Sequence, residues 1–190
     1  HTSGIEIAVQ SMINEPCEIW AKLIAGAPLG AATGHRVLYS CTNYFLLARL
    51  VELWTQQKLG DFIAQRIFEP LSFSRTGFFP LRNFAPDQIA PTEILQGDEP
   101  LIGVVHDEAA RAWENEQGSA GGNAGMFGTA DELARFCRLW LQDGAWENVQ
   151  ILHPHDVHFA LRDTVRAESY NQGIGWHCDV PTWAAPPLCE

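Results

Sequence analysis

The sequence predicts an α+β domain that is mainly helical and carries little sheet of its own. Three observations lead there. Segments 43–58 and 129–144 repeat apolar residues at the spacing of a helix face. Residues 173–180, "GIGWHCDV", alternate as a strand does, with Ile174, Trp176, Cys178 and Val180 on one face and Gly175, His177 and Asp179 on the other. Residues 71–128 are rich in Gly and Pro and are predicted mostly irregular. A loop-rich stretch of that length usually carries function or packs around a site.

The elements follow in order. Residues 14–25 read as a helix, with Asn14 as its cap, Pro16 in its first turn and Ile19, Trp20, Leu23 and Ile24 as its apolar stripe. Gly26 ends it, and "GAPLGAATGHR" is a loop. Helix 43–58 is apolar at 44–48, 50, 51, 53 and 54, and only Arg49, Glu52 and Gln56 form a polar stripe. A helix apolar over most of its girth is expected to be buried on several sides. Gly60 is expected to stop it, and a shorter helix runs from Asp61 until Pro70 forbids continuation. In "TADELARFCRLWLQDG", Thr129 and Glu132 make a capping box, and Leu133, Phe136, Cys137, Trp140 and Leu141 make the stripe, so Cys137 reads as a core residue. Gly144 stands where a helix-terminating glycine is expected. "HPHDVHFAL" starts a last short helix with Pro154 in its first turn.

Composition narrows the function classes. The chain has 190 residues, 46% of them hydrophobic, with seven Trp, enough to build a real core. Its formal net charge of −11 argues against a nucleic-acid partner and against a polybasic membrane contact. No apolar run is long enough to cross a bilayer. The start, "HTSGIEIAVQ", has neither Met nor a signal-peptide pattern, and the end, "AAPPLCE", closes no element, so an internal piece of a longer domain is expected. The five Cys, at 17, 41, 137, 178 and 189, are odd in number and include no C-x-x-C, so they read as free thiols used as small hydrophobes.

Few segments carry chemistry. There is no P-loop and no G-x-G-x-x-G, and no cofactor is expected. The two lysines, Lys22 and Lys58, lie in neither S-x-x-K nor K-[ST]-G, and there is no G-x-S-x-G. His153, His155 and His158, with Asp156, superficially match a zinc-hydrolase signature, but the Asp is one place early; the plain alternative is a solvated first turn. "VHDE" at 105–108 flanks His106 with Asp107 and Glu108. It reads either as an oriented acid–base group or, as the residues alone favour, as a loop held by its own hydrogen bonds. The glycines of "GGNAGMFGTADELARF", with Gly122 and Asn123 among its first residues, let the backbone approach another group closely and line a cleft. In "VLYSCTNYFLLARL", Ser40 or Thr42 is expected to cap the helix, leaving Tyr39 and Cys41 at its positive end. A free phenol ionises near ~10, so Tyr39 would need a nearby cation to serve as a base at neutral pH.

Taken together and in order, six segments resemble the serine β-lactamase and penicillin-binding-protein superfamily, in its class C-like branch of serine hydrolases and esterases. They are "HTSG" at 1–4, "YSCTNYFLLARLVE", "IFEPLSFSRTGFFP", "APTE" with "VHDEAAR", "GGNAGMFGTADELARF" and "QGIGWHCDV". The resemblance covers nearly the whole chain. It implies a β-lactamase/transpeptidase-like fold, of which residues 1–190 would be one partial domain, mainly the helical lobe with a small part of the sheet.

The resemblance also implies a mechanism. A serine of S-x-x-K attacks an acyl carbonyl, water hydrolyses the acyl-enzyme, and the tyrosine of Y-x-N relays protons beside the lysine. Tyr39 takes that place. Cys41, His106, Asp107, Gly122 and Asn123 fall on the substrate side. Cys41 stands where Asn or Asp is usual, and a thiol is a weak donor and a weak acceptor. Asn123 stands where a subgroup has His. The S-x-x-K and the late H-T-G or K-T-G strand are not in this sequence, so the longer protein is expected to be the enzyme and this chain alone inactive. The implied partner is a small-molecule or peptidoglycan-peptide acyl substrate, and the implied location is the cell envelope or periplasm. Two other readings stay open: an inactive relative that binds cell-wall peptide or a protein partner, and a metal hydrolase built on His153, His155 and His158.

Overall fold

The computed structural model describes residues 1–94, 99–162, 165–166 and 171–178. After a 3₁₀ turn at Val9–Met12 come α1 (Cys17–Gly26), α2 (Thr42–Thr55) and α3 (Leu59–Ile63), which runs on as a π-helical turn, Ala64–Phe68. The hairpin β1 (Pro91–Ile94)–β2 (Pro100–Ile102) precedes α4 (Glu108–Gln117) and α5 (Ala130–Leu141). A second hairpin, β3 (Ala145–Trp146)–β4 (Val149–Gln150), leads to α6 (Pro154–Leu161). The antiparallel ribbon β5 (Val165–Arg166), β6 (Asn171–Gln172), β7 (His177–Cys178) follows. Helices dominate and the sheets are small, as the sequence predicts.

The core is where α1, α2 and α4 meet. Trp20, Phe45 and Trp113 form a triangle of rings with centroids 5.2, 5.6 and 5.6 Å apart, two of the pairs edge-on. Aromatic pairs favour such geometry over face-to-face stacking. Val9, Met12, Cys17, Ile24 and Ala109 close around them. A smaller cluster of Ala48, Leu59 and Ala120 joins α2 to α3 and to the loop after α4.

Several expectations are corrected, each for a physical reason. Helix α1 begins at Cys17, and its cap is not Asn14: Glu116 of α4 accepts the Cys17 N–H at 2.9 Å. Neither Ser40 nor Thr42 caps α2. Cys41 is the N-cap residue and its side chain makes no capping bond, and the Thr42 hydroxyl donates instead to the Ile7 carbonyl at 2.8 Å. Helix α2 is covered on one face only: Thr42, Phe45, Ala48 and Glu52 are buried, while Leu47, Leu50, Leu53 and Trp54 are exposed. Glu52, part of the polar stripe, is buried and accepts from the Leu59 N–H and the Ser119 hydroxyl, so it caps α3 from the preceding helix. Left-handed Gln56, not Gly60, ends α2, and Gly60 lies inside α3.

Residues 71–128 hold a well-formed helix, α4, that the sequence reading missed. Asp107 caps it by accepting the Ala110 N–H at 2.8 Å. On α5 the expected stripe is only partly covered: Leu133, Cys137 and Leu141 are exposed, Phe136 and Trp140 are half-buried, and Leu139 is buried. Cys137 is therefore not a core residue. Helix α5 ends at Leu141 with Gln142 as its C-cap, and Gly144, where the terminating glycine is expected, lies two residues further on: its N–H donates to the Leu139 carbonyl at 2.8 Å, and at φ +83° a Cβ would lie 2.3 Å from the Leu152 carbonyl oxygen. The stretch 173–180 is not one strand. Residues 173–176 turn the chain between β6 and β7, with Gly175 at φ +75°. Residues 179 and 180 lie outside the described residues.

Candidate active site

Two segments meet α2, and a third meets the loop that lies on it. The segment ahead of it is fixed by residues 1–4. The Leu38 N–H donates to the His1 carbonyl at 2.9 Å and the Ser40 N–H to His1 Nδ1 at 3.1 Å. Tyr39, between them, is exposed, with its Oη 3.5 Å from Cys41 Sγ. Cys41, at the N-terminus of α2, is half-buried.

The loop 121–125 lies directly on α2. Gly122 has φ +87°, and a Cβ there would sit 2.6 Å from the Tyr44 carbonyl oxygen and 2.8 Å from the Ala48 Cβ. A side chain is excluded twice over, by backbone angle and by space. Gly121 presses on the Phe45 ring, with the Asn123 Oδ1 beside it. That oxygen is buried and has no hydrogen-bond partner among the described residues. The loop thus brings Gly122 and Asn123 to the helix that Tyr39 precedes.

The third segment is the start of α4. Val105 is buried and touches the space above Gly125. His106, next in the chain, is exposed. Asp107 spends a carboxylate oxygen on the cap of α4, which is the structural half of the two readings open for "VHDE". Helix α4 also supplies a residue that the sequence reading missed. Glu114 reaches Gly125, where its Oε1 is buried without a partner among the described residues. Burial pushes its pKa up to about 7, against the opposing pull of the Arg82 guanidinium. No sequence signal marks Glu114, because nothing local sets apart the helix that carries it.

The histidines are not gathered into a ligand set. His153 Nδ1 accepts the His155 N–H at 3.2 Å as the cap of α6. His158 Nε2 pairs with Asp143 at 2.8 Å, and His155 Nδ1 lies 3.3 Å from Asp156. Among the described residues no group of three or more His, Cys, Asp or Glu could hold a metal ion.

The family model described as Beta-lactamase matches residues 1–186. A curated relative from Escherichia coli (strain K12), named "Putative D-alanyl-D-alanine carboxypeptidase", is 31% identical over 169 residues, or 82% of this chain and 38% of the relative. This chain therefore spans well under half the length of that relative. Among solved structures, the penicillin binding protein from Bacillus halodurans aligns with a TM-score of 0.66 at 15% identity, covering 92% of this chain and 52% of that one. The D-amino acid amidase from Ochrobactrum anthropi aligns with a TM-score of 0.61 at 16% identity, covering 93% and 50%. The structural likenesses establish the β-lactamase/transpeptidase-like fold, and the family match over almost every residue establishes that the chain belongs to the Beta-lactamase family.

Proposed function

We propose that this chain forms one wall of the active site of a longer serine hydrolase, which acts through an acyl-enzyme on an ester, amide or β-lactam. The observation that carries the reading is the docking of the Gly122–Asn123 loop onto α2 beside the turn that presents Tyr39. In this reading a serine of an S-x-x-K segment outside this chain attacks the acyl carbonyl. Tyr39 takes the serine proton and passes it to the leaving group, and water then releases the acyl group. The loop at 121–125 and His106 border the bound substrate. The relative's name supports a D-alanyl peptide as one candidate substrate, and the amidase neighbour supports the wider class of small acyl amides.

The test is covalent labelling. The longer protein should be labelled stoichiometrically by a fluorophosphonate or penicillin probe at a serine outside residues 1–190, seen by intact mass and peptide mapping. This chain alone should not be labelled. A longer protein that takes up neither probe would overturn the reading and favour the second one, an inactive relative that binds cell-wall peptide.

The second reading has its own observation, Cys41. Its thiol touches the Tyr39 hydroxyl, and it stands in a place where the resemblance expects an amide or carboxylate. Cys41→Asn restores a strong donor and acceptor, each hydrogen bond being worth about 1 kcal/mol. If the substrate uses that contact, acylation should rise roughly fivefold. Equal rates for the parent and the Cys41→Asn enzyme would show that this substrate never used it.

A further inference from the structure

We infer that His1 is a positioning residue that holds Tyr39 in its working orientation; this rests on Tyr39 being the proton relay proposed above. The grip has three points. The His1 carbonyl accepts from Leu38 N–H, one residue before Tyr39. Its Nδ1 accepts from Ser40 N–H, one residue after. Its ring lies against the Tyr39 ring with centroids 4.7 Å apart, and its other flank meets Tyr44 edge-on at 5.4 Å. The backbone on both sides of Tyr39 and the face of its ring are thus fixed by one residue, on a turn that no helix cap stabilises.

The imidazole suits this work better than its neighbours would. Since Nδ1 accepts a backbone proton, the neutral ring carries its own hydrogen on Nε2. Tyr39 is 57% exposed, so core packing does not set the angle of its phenol. A relay must keep its hydroxyl within hydrogen-bond reach of the proton it moves, and an error of about 1 Å can cost roughly 100-fold in rate. The adjoining residues make the anchor firm: Gly34 N–H donates to the Thr2 carbonyl and Gly30 N–H to the Gly4 carbonyl, so residues 1–4 are laced to the loop 30–38.

The experiment uses three variants of the longer protein: His1→Phe, which keeps a ring and loses the acceptor; His1→Asn, which keeps an acceptor near Nδ1; and Tyr39→Phe. Hydrolysis of a p-nitrophenyl ester gives kcat and KM, and thermal unfolding gives Tm. His1→Phe should lower kcat by about 10- to 100-fold with KM within about twofold. His1→Asn should stay within about threefold of the parent. In a Tyr39→Phe background, His1→Phe should add almost nothing, because the group it orients is gone.

A loss from His1→Phe that persists in full in the Tyr39→Phe background, or that follows the fall in Tm, would mean a plain loop clamp and would overturn the proposal. So would a His1→Phe enzyme at the parent rate beside a slow Tyr39→Phe enzyme. If Tyr39→Phe itself keeps the full rate, the relay reading fails first and takes the proposal with it, and the two failures are told apart by that single variant.

Discussion

Tyr39→Phe in the longer protein should slow acylation by about 10²- to 10⁴-fold, the range that a positioned acid–base group supplies. The substitution removes one atom from an exposed ring and keeps the face that meets His1. Tyr39 is 57% exposed and lies outside the buried core, so stability should move by no more than about 0.5 kcal/mol. Rate and stability are therefore separable at this position. The phenol needs help to act as a base at neutral pH, since its ordinary pKa is near ~10. The start of α2 offers partial positive charge. A full cation is expected from the S-x-x-K lysine, because neither lysine of this chain belongs to such a motif, and Lys58 donates to the Gln117 carbonyl. The measurement is the rate of serine labelling under single-turnover conditions, with Tm as the control. Labelling of Tyr39→Phe at the parent rate would remove Tyr39 from the mechanism.

The Tyr39 block and the glycine loop were legible in the sequence because their signals are local. A glycine forced to φ +87° against a carbonyl leaves a mark at one position, and a tyrosine ahead of an apolar helix is visible within a few residues. Helices α5 and α6 were legible for the same reason, through Thr129 and Pro154 at their starts. What the sequence hid was long-range. Helix α4 buries only Ala109, Ala110 and Trp113, too few apolar residues to show a stripe, and it is held by packing on Trp20 and Phe45. The cap of α1 comes from Glu116, 99 residues away in sequence. The outward apolar faces of α2 and α5 misled in the other direction. Periodicity reports that a face is apolar, and it does not say whether anything within these residues covers it. Glu114 escaped on both counts, lying on an unrecognised helix and meeting a loop residue 11 places on, with nothing in its local sequence to set it apart.

Glu132 is where the local and long-range signals cross, and its loss should have the largest effect on stability. The sequence offers it as half of a capping box, and half is what forms: Thr129 Oγ1 accepts the Glu132 N–H at 3.4 Å. The carboxylate does not turn back. It is 4% exposed and accepts from Ser74 N–H at 2.7 Å, Arg75 N–H at 3.0 Å and Thr76 Oγ1–H at 2.5 Å. These residues lead into Gly77, whose backbone pairs with Phe127, so one side chain ties the loop after α3 to the segment that joins the glycine loop to α5. Glu132→Ala would strand the Ser74 and Arg75 N–H groups and the Thr76 hydroxyl, and should cost about 3 kcal/mol, or roughly 10 °C in Tm. Glu132→Gln should cost less, about 1 kcal/mol, because its carbonyl can still serve both N–H groups while its amide donates to Thr76 Oγ1. The two variants also separate in pH. Burial alone would raise the Glu132 pKa, but the bonds from Thr76, Ser74 and Arg75, with Arg135 nearby, outweigh it and hold the pKa below its ordinary 4.5. The folded state thus binds this proton less readily than the unfolded chain. The stabilisation is complete above pH 4.5 and disappears as the pH falls through the lowered folded-state value. Urea unfolding of the parent and Glu132→Gln at pH 7 and at successively lower pH should show their difference shrinking with acid. A difference that stays constant or grows would mean that the carboxylate's charge is not what holds the 74–76 loop.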